Sequence, residues 1–313
     1  MTKQGSAALL LSLIFGIGAV SSGTAHSFVR ARVTAEFSLP DTSIPRSVTF
    51  RELRGRGLIV KAWVNSAGPY SFAVDTGAGA TLLSTRVATE AHVNIKNGRP
   101  GSIGGLSGTT VSAKEATLRS LALGDRENYL PAKGTVMVTS GLPRDLDGVM
   151  DPTEAFAPLG YVIDIPHGEL SVFDPDDVPV RASEPPLEGT VVRWLREGRG
   201  RRPFVQLDNG DRALLDTGSN LGLAIRDLGA GDRKISAYAI RDVGGGRISA
   251  RRGRPTTIAI GSLVLRNIPV DLISGAEADA PVLLGLSALR PFKLRFDPAH
   301  RLIEIAPAVG RRR

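Results

Sequence analysis

Phe72-Ala73-Val74-Asp75-Thr76-Gly77-Ala78 and Arg212-Ala213-Leu214-Leu215-Asp216-Thr217-Gly218-Ser219 share one design. Each carries an apolar run straight into Asp-Thr-Gly. Each then turns apolar again, at Thr81-Leu82-Leu83 and at Leu221-Gly222-Leu223-Ala224-Ile225. A carboxylate between two buried strands is costly unless something pairs with it or it keeps its proton. The same costly arrangement, made twice in one chain, is accounted for if the two aspartates meet. A lone Asp-Thr-Gly is an ordinary turn sequence, but two with apolar flanks on both sides are not well explained that way.

Outward from these stretches the chain reads as β-strands joined by tight turns. Leu58 to Val64 is β-branched and aromatic, Asn65 to Pro69 is a turn, and Tyr70 to Val74 returns to deliver Asp75. A short helix is expected over Thr85 to Ala91. A glycine-rich stretch from Gly101 to Gly108 follows, then strand material at Leu118 to Leu123 and Val136 to Val138. Asp147 to Pro152 leads into another short helix, and Tyr161–Asp164 with Leu170–Phe173 reads as a hairpin closing the first half. In the second half Phe204 to Leu207 turns at Asn209-Gly210, a strong hairpin signal, and the returning strand delivers Asp216. Val243-Gly244-Gly245-Gly246 is its glycine stretch. Apolar strands at Thr257–Gly261, Val264–Val270, Val282–Gly285, Leu294–Pro298 and Leu302–Ile305 complete it. Asp75 to Gly104 is 29 residues and Asp216 to Gly244 is 28; Asp151 to Asp164 is 13 and Gly285 to Asp297 is 12. Landmarks in one order at matching separations argue for a duplicated unit.

The 313 residues leave room for two domains, and 42% hydrophobic with 22% charged content describes a globular chain. With no cysteine there is no disulfide framework, thiolate metal site or cysteine nucleophile. Net charge is +8, and only seven of the 39 basic residues are lysine. The runs Arg199–Arg202, Arg251–Arg254 and Arg311–Arg313 carry no interleaved aromatics, so they read as solvated loops and tails, not as a base-stacking surface. Residues 1–25 read as a secretory signal: Lys3, an apolar run from Ala7 to Val20, then Gly23-Thr24-Ala25. That run is short of the roughly 20 residues a bilayer span needs. The body is therefore expected to be exported, periplasmic or secreted, with no nucleic-acid partner and no stable membrane span after cleavage. Pro- and acid-rich sequence from Asp174 to about Gly189 reads as a linker. The expected units are 46–178, a linker at 179–190, 191–308, and a basic tail at 309–313.

Both halves resemble lobes of the retropepsin-like (pepsin/retropepsin-type) aspartic proteases, here as two tandem lobes in one exported chain of the bacterial type. The shared pattern is apolar-apolar-Asp-Thr-Gly-Ala/Ser, a glycine-rich flap, then apolar-apolar-Gly ahead of a short helix. Those parts are Val74–Ala78, Ile103–Gly108 and Val149–Asp151, and then Leu215–Ser219, Val243–Gly246 and Leu283–Gly285. The resemblance covers about Val48 to Ala306. It implies an all-β, bilobal fold of two β-barrel lobes with a few short helices, and an endopeptidase with Asp75 and Asp216 as its catalytic dyad. Two carboxylates in contact hold one proton between them, so one can take a proton from water while the other polarises the scissile carbonyl. The resemblance further implies that Thr76 and Thr217 cross-bond behind the dyad. Gly77 and Gly218 allow a tight turn and set amide donors nearby. Gly104, Gly105, Gly244 and Gly245 belong to substrate-binding flaps. The expected partner is an extended polypeptide substrate, bound by a monomer whose lobes pair within one chain, with no cofactor and no metal.

Three departures stand out. Asp151 occupies a usual glycine position, and Asp151-Pro152-Thr153-Glu154 reads as an N-cap, proline at N1 and Glu at N3. Ala78 and Ser219 differ, and neither flap has the tyrosine of the pepsin branch. The rival reading is an exported peptide-binding module that keeps this fold without turnover. Other chemistries find no footing: His26, His92, His167 and His300 form no zinc pattern, and the mature chain has no G-x-S-x-G elbow or Walker A sequence.

Overall fold

The computed structural model describes residues 8–10, 44–131, 134–197, 200–227, 229 and 237–308. Among them the chain is mostly strand, with three short helices, Thr85–Glu90, Pro152–Ala155 and Leu286–Leu289. Of the expected leader only Ala8–Leu10 is described, as a short strand beside Ile240–Asp242; the rest, and the basic tail at 309–313, lie outside the described residues.

In the first half Gly57–Val64 and Ala67–Val74 form an antiparallel hairpin with Leu58 opposite Val74. Their alternate side chains fill the interior: Leu58, Val60, Phe72 and Val74 are fully buried. Gly148–Met150 lies parallel to the second arm, Met150 beside Val74, and Leu82–Ser84 pairs antiparallel to Gly148–Met150. The second half pairs its strands the same way. Phe204–Gln206 and Arg212–Asp216 make the hairpin, Val282–Gly285 runs parallel to Arg212–Asp216 with Leu284 beside Leu215, and Leu223–Arg226 is antiparallel to Val282–Gly285. In each half a two-strand crossing buries a short apolar run and ends at an aspartate.

A six-stranded sheet lies beneath both halves and is built from both, in the order Thr190–Arg193, Leu302–Pro307, Phe292–Asp297, Gly160–Asp164, Glu169–Phe173, Val48–Thr49. The expected hairpin of Gly160–Asp164 with Glu169–Phe173 forms and pairs with Val48–Thr49 of the first half, and its first arm also joins the C-terminal strand Phe292–Asp297. At its centre Val162 faces Arg295, with Tyr161 against Phe296 and Ile163 against Leu294 on either side. Tyr161 stacks on Phe296 with centroids 4.7 Å apart, and Trp194 meets the same ring edge-on at 5.8 Å. The stretch read as a linker is held to this base, since Val180 N donates to Asp297 Oδ2 at 3.0 Å.

Two of the basic runs depart in part from the solvated-loop expectation, while Arg201 and Arg254 are exposed as expected; Arg199 and Arg311–Arg313 lie outside the described residues. Arg251 and Arg252 lie in the strand Arg247–Arg252 and are ion-paired with Asp227 and Asp271 at 2.7 and 2.8 Å. Arg202 pairs with Glu197 and lies over the Phe204 ring. Arg202 and Arg251 are largely buried with paired heads, while Arg252 is paired but half exposed; a charge-run rule applied to sequence does not see these pairings.

Phe296 is fully buried and touches aromatics from both halves. Phe296→Ala should cost about 3–5 kcal/mol by removing that ring from a packed site. Denaturant unfolding of the whole chain checks this; a loss under about 1 kcal/mol would show that the base sheet does not join the halves.

Candidate active site

The two Asp-Thr-Gly loops meet back to back between the lobes. Thr76 N donates to Thr217 Oγ1 at 3.1 Å and Thr217 N to Thr76 Oγ1 at 3.1 Å. Each hydroxyl in turn donates to the strand leading into the opposite aspartate, Thr76 Oγ1 to Leu215 O at 2.7 Å and Thr217 Oγ1 to Val74 O at 2.9 Å. All four groups are buried. A threonine suits this place because its hydroxyl accepts and donates at once.

The glycines act by what they lack. Gly77 N and Gly218 N donate to Oδ1 of their own aspartates, at 2.8 and 2.9 Å. Neither has a positive φ, so the tight-turn reason expected from the sequence does not apply. A Cβ on Gly77 would stand 2.9 Å from Asp216 Cγ, and one on Gly218 would stand 2.3 Å from Asp75 Cγ. Each carboxyl group thus lies over the other loop's glycine.

Asp75 and Asp216 are both fully enclosed. Burial, and next the charge of Asp216, push the Asp75 carboxyl well above the ordinary carboxylate range; the hydrogen bond from Gly77 opposes this only in part. Asp75 Oδ2 is buried without a hydrogen-bond partner among the described residues, and Asp216 is the carboxyl group whose proximity pushes Asp75 up. Two neighbouring buried carboxyl groups hold one proton between them, so the titration belongs to the pair.

The two glycine-bearing hairpins meet between the lobes. Gly101–Gly104 pairs with Thr110–Thr117, and Ala237–Asp242 pairs with Arg247–Arg252, so Gly104-Gly105 and Gly244-Gly245 lie at the two hairpin turns. The turns interlock: Ser107 N donates to Asp242 Oδ2 at 2.9 Å, and a Cβ on Gly105 would stand 2.5 Å from Asp242 Cβ. Leu106 of the first flap packs in the second lobe with Leu214, Leu221 and Ile240. Val243 of the second packs in the first lobe with Ile59, Ala73 and Ile103. Sequence reasoning missed Asp242, Leu106 and Val243. The available signal was an apolar residue beside each glycine run and an acid ahead of the second.

Asp151 is the N-cap of the second helix, its Oδ1 accepting from Thr153 N at 2.9 Å. Its N–H donates to Thr81 Oγ1 at 3.3 Å, and Glu154 Oε2 accepts from Thr81 N at 3.0 Å. Burial, then the neighbouring Glu154, raise the Asp151 carboxyl to about 7, and its charge adds a small upward push on Asp75. No group of three or more metal-ligating side chains occurs among the described residues.

This arrangement, a shared base sheet beneath two lobes that each contribute one buried aspartate, defines the pepsin-like aspartic protease fold. The comparisons agree. Residues 60–146 match the family model described as aspartyl protease. The crystal structure of an aspartic proteinase from Irpex lacteus superposes with a TM-score of 0.56 at 16% identity, covering 84% of this chain and 97% of that one. No curated protein matches the chain in sequence.

Two outcomes follow. Gly218→Ala places a methyl group 2.3 Å from the Asp75 carboxyl carbon, so it should destabilise by at least about 2 kcal/mol, the cost of overpacking a rigid site; a variant as stable as the parent would mean the loops are not pressed together. For Asp151, a folded value of about 7 against about 3.9 in the unfolded chain means folding takes up a proton between those pH values. Stability is then full below about pH 4 and falls by up to about 4 kcal/mol as pH rises through 7. Asp151→Asn keeps the cap. In paired urea titrations it should match the parent near pH 4 and exceed it near pH 8; an offset equal at both pH values contradicts the buried titration.

Proposed function

We propose that this chain is an aspartic endopeptidase that hydrolyses peptide bonds with a water activated between Asp75 and Asp216. The observation that carries the reading is the pair of neighbouring enclosed carboxyl groups across the threonine bonds, one of them held well above the usual range. The ionised member takes a proton from the water as its oxygen attacks the carbonyl carbon. The protonated member hydrogen-bonds to the carbonyl oxygen and gives up its proton as the tetrahedral diol forms. Collapse of the diol returns one proton to the pair and delivers one to the leaving amine, so the shared proton is restored. Water is the nucleophile throughout, and no side chain becomes covalently attached.

Asp151 lies outside this scheme, as a helix cap that tunes charge. The substrate is a polypeptide in extended form. The outer edge of the strand Ala237–Asp242 carries an added strand, Ala8–Leu10 paired in parallel with Ile240–Asp242; in this reading an extended substrate takes that place once residues 1–25 are removed. The protein works in this reading as an exported monomer, periplasmic or secreted, with both lobes of the site from one chain.

Mixed-peptide cleavage by the protein lacking residues 1–25 tests this. Asp75→Asn and Asp216→Asn should each lower turnover by about a thousandfold or more, because no general base remains. Mixing the two variants should restore nothing. Restored cleavage would mean that lobes of different chains form the site. Peptide binding across acid and neutral pH without any cleavage would favour the non-catalytic binding module, and parental activity in either variant would end the peptidase reading.

A further inference from the structure

We propose that the protein selects substrates by negative charge, taking Asp or Glu side chains of an extended polypeptide into an arginine-lined cavity between the two halves; this rests on the endopeptidase reading above. A cavity of about 640 Å³ opens between residues 140–144 of the first half, the second flap hairpin and Arg56. Four arginines line it, Arg56, Arg144, Arg241 and Arg247, together with one acid, Asp242. In a chain this rich in arginine a single basic side chain signifies little. Here three separate segments of both lobes turn the same charge toward one space.

The counter-charges are accounted for. Asp242 is buried, and its oxygens are taken by Ser107 N at 2.9 Å and Gly246 N at 3.0 Å, so it serves the flap contact. Arg56 is paired with Asp145 at 2.9 Å. Arg144, Arg241 and Arg247 are exposed and make no ion pair with any described residue. A concave wall of one sign concentrates field, and a guanidinium fork matches a carboxylate in two hydrogen bonds.

Chain continuity through Arg56 links the cavity to the second Asp-Thr-Gly loop. Gly57, next to Arg56, lies so near the second Asp-Thr-Gly loop that a Cβ there would stand 3.2 Å from Thr217 O. The opposite wall is the strand edge with which Ala8–Leu10 pairs, since Ala239, Ile240 and Arg241 line the cavity. A peptide added to that edge sends every second side chain to the same face. An acidic residue of that peptide therefore comes within reach of the exposed arginines.

Two labelled peptides with one apolar core, flanked by Glu or by Gln, separate the possibilities. Their binding is read by fluorescence anisotropy with the Asp75→Asn protein lacking residues 1–25, whose removal frees the edge held by Ala8–Leu10, and their cleavage is read with the parent of the same length. The Glu peptide should bind about tenfold more tightly, the sum of several partly exposed ion pairs. The ratio should shrink as salt rises from about 50 to 500 mM. Replacing Arg144, Arg241 and Arg247 together by Gln should bring the ratio near one, and Lys at all three should keep most of it. Equal binding of both peptides, or a ratio indifferent to the Gln variant, overturns the proposal. So does an oligonucleotide of equal charge that displaces the Glu peptide as well as unlabelled peptide does, for the surface would then be a general polyanion site. Charge-selective binding without turnover would sink the endopeptidase reading alone, while turnover without charge preference would sink the cavity alone.

Discussion

The four hydrogen bonds exchanged by Thr76 and Thr217 set the separation of the lobes before any substrate is present. Each is worth on the order of 1 kcal/mol net, but leaving any of these buried donors unmet would cost more. The lobes therefore close to one distance or pay for it. That distance presses each aspartate onto the other loop's glycine and brings the carboxyl groups side by side. Enclosure then does the electrostatic work. Two neighbouring buried acids cannot both ionise, so the fold stores a proton where it would otherwise be lost near pH 4.

The glycine hairpins repeat this reciprocity. Leu106 is buried in the core of the lobe it does not belong to, and so is Val243. The two hairpins are joined by a hydrophobic exchange locked with one buried acid, Asp242. Burying a Leu and a Val side chain in this exchange contributes about 1.5–3 kcal/mol each to holding the hairpins together.

Much of this was legible in the sequence, because the decisive signals are local. Apolar strands ending in Asp-Thr-Gly, the turn at Asn209-Gly210 and the cap at Asp151-Pro152 each state their own geometry in a few adjacent residues. The joining of the hairpin at 160–173 to the C-terminal strands was not legible, since no local pattern says which sheet a strand enters. The same holds for Asp242. Its partner Ser107 is 135 residues away, and an acid ahead of three glycines looks like any turn. At Gly77 and Gly218 the sequence points to a tight turn with amide donors nearby; the donors are in place, but the steric constraint is a carboxyl group from the other half of the chain.

The lobes nevertheless differ where they approach the dyad most closely, and the difference has a steric cause. Gly285 pairs beside Asp216, and a Cβ there would stand 2.6 Å from Leu221 O and 2.8 Å from Ser219 O. Only glycine fits, and its helix has no side-chain cap. Asp151 holds the corresponding place, following Met150, which pairs beside Val74. There Thr81 Oγ1 accepts the Asp151 N–H, and Glu154 holds the Thr81 backbone. The first lobe has thus replaced close backbone packing with a side-chain network, and the network brings an extra carboxyl group into the interior. Its charge bears on Asp75, in the same lobe. A site built from two like halves acquires through this one position an electrostatic handedness that the paired Asp-Thr-Gly loops alone do not have.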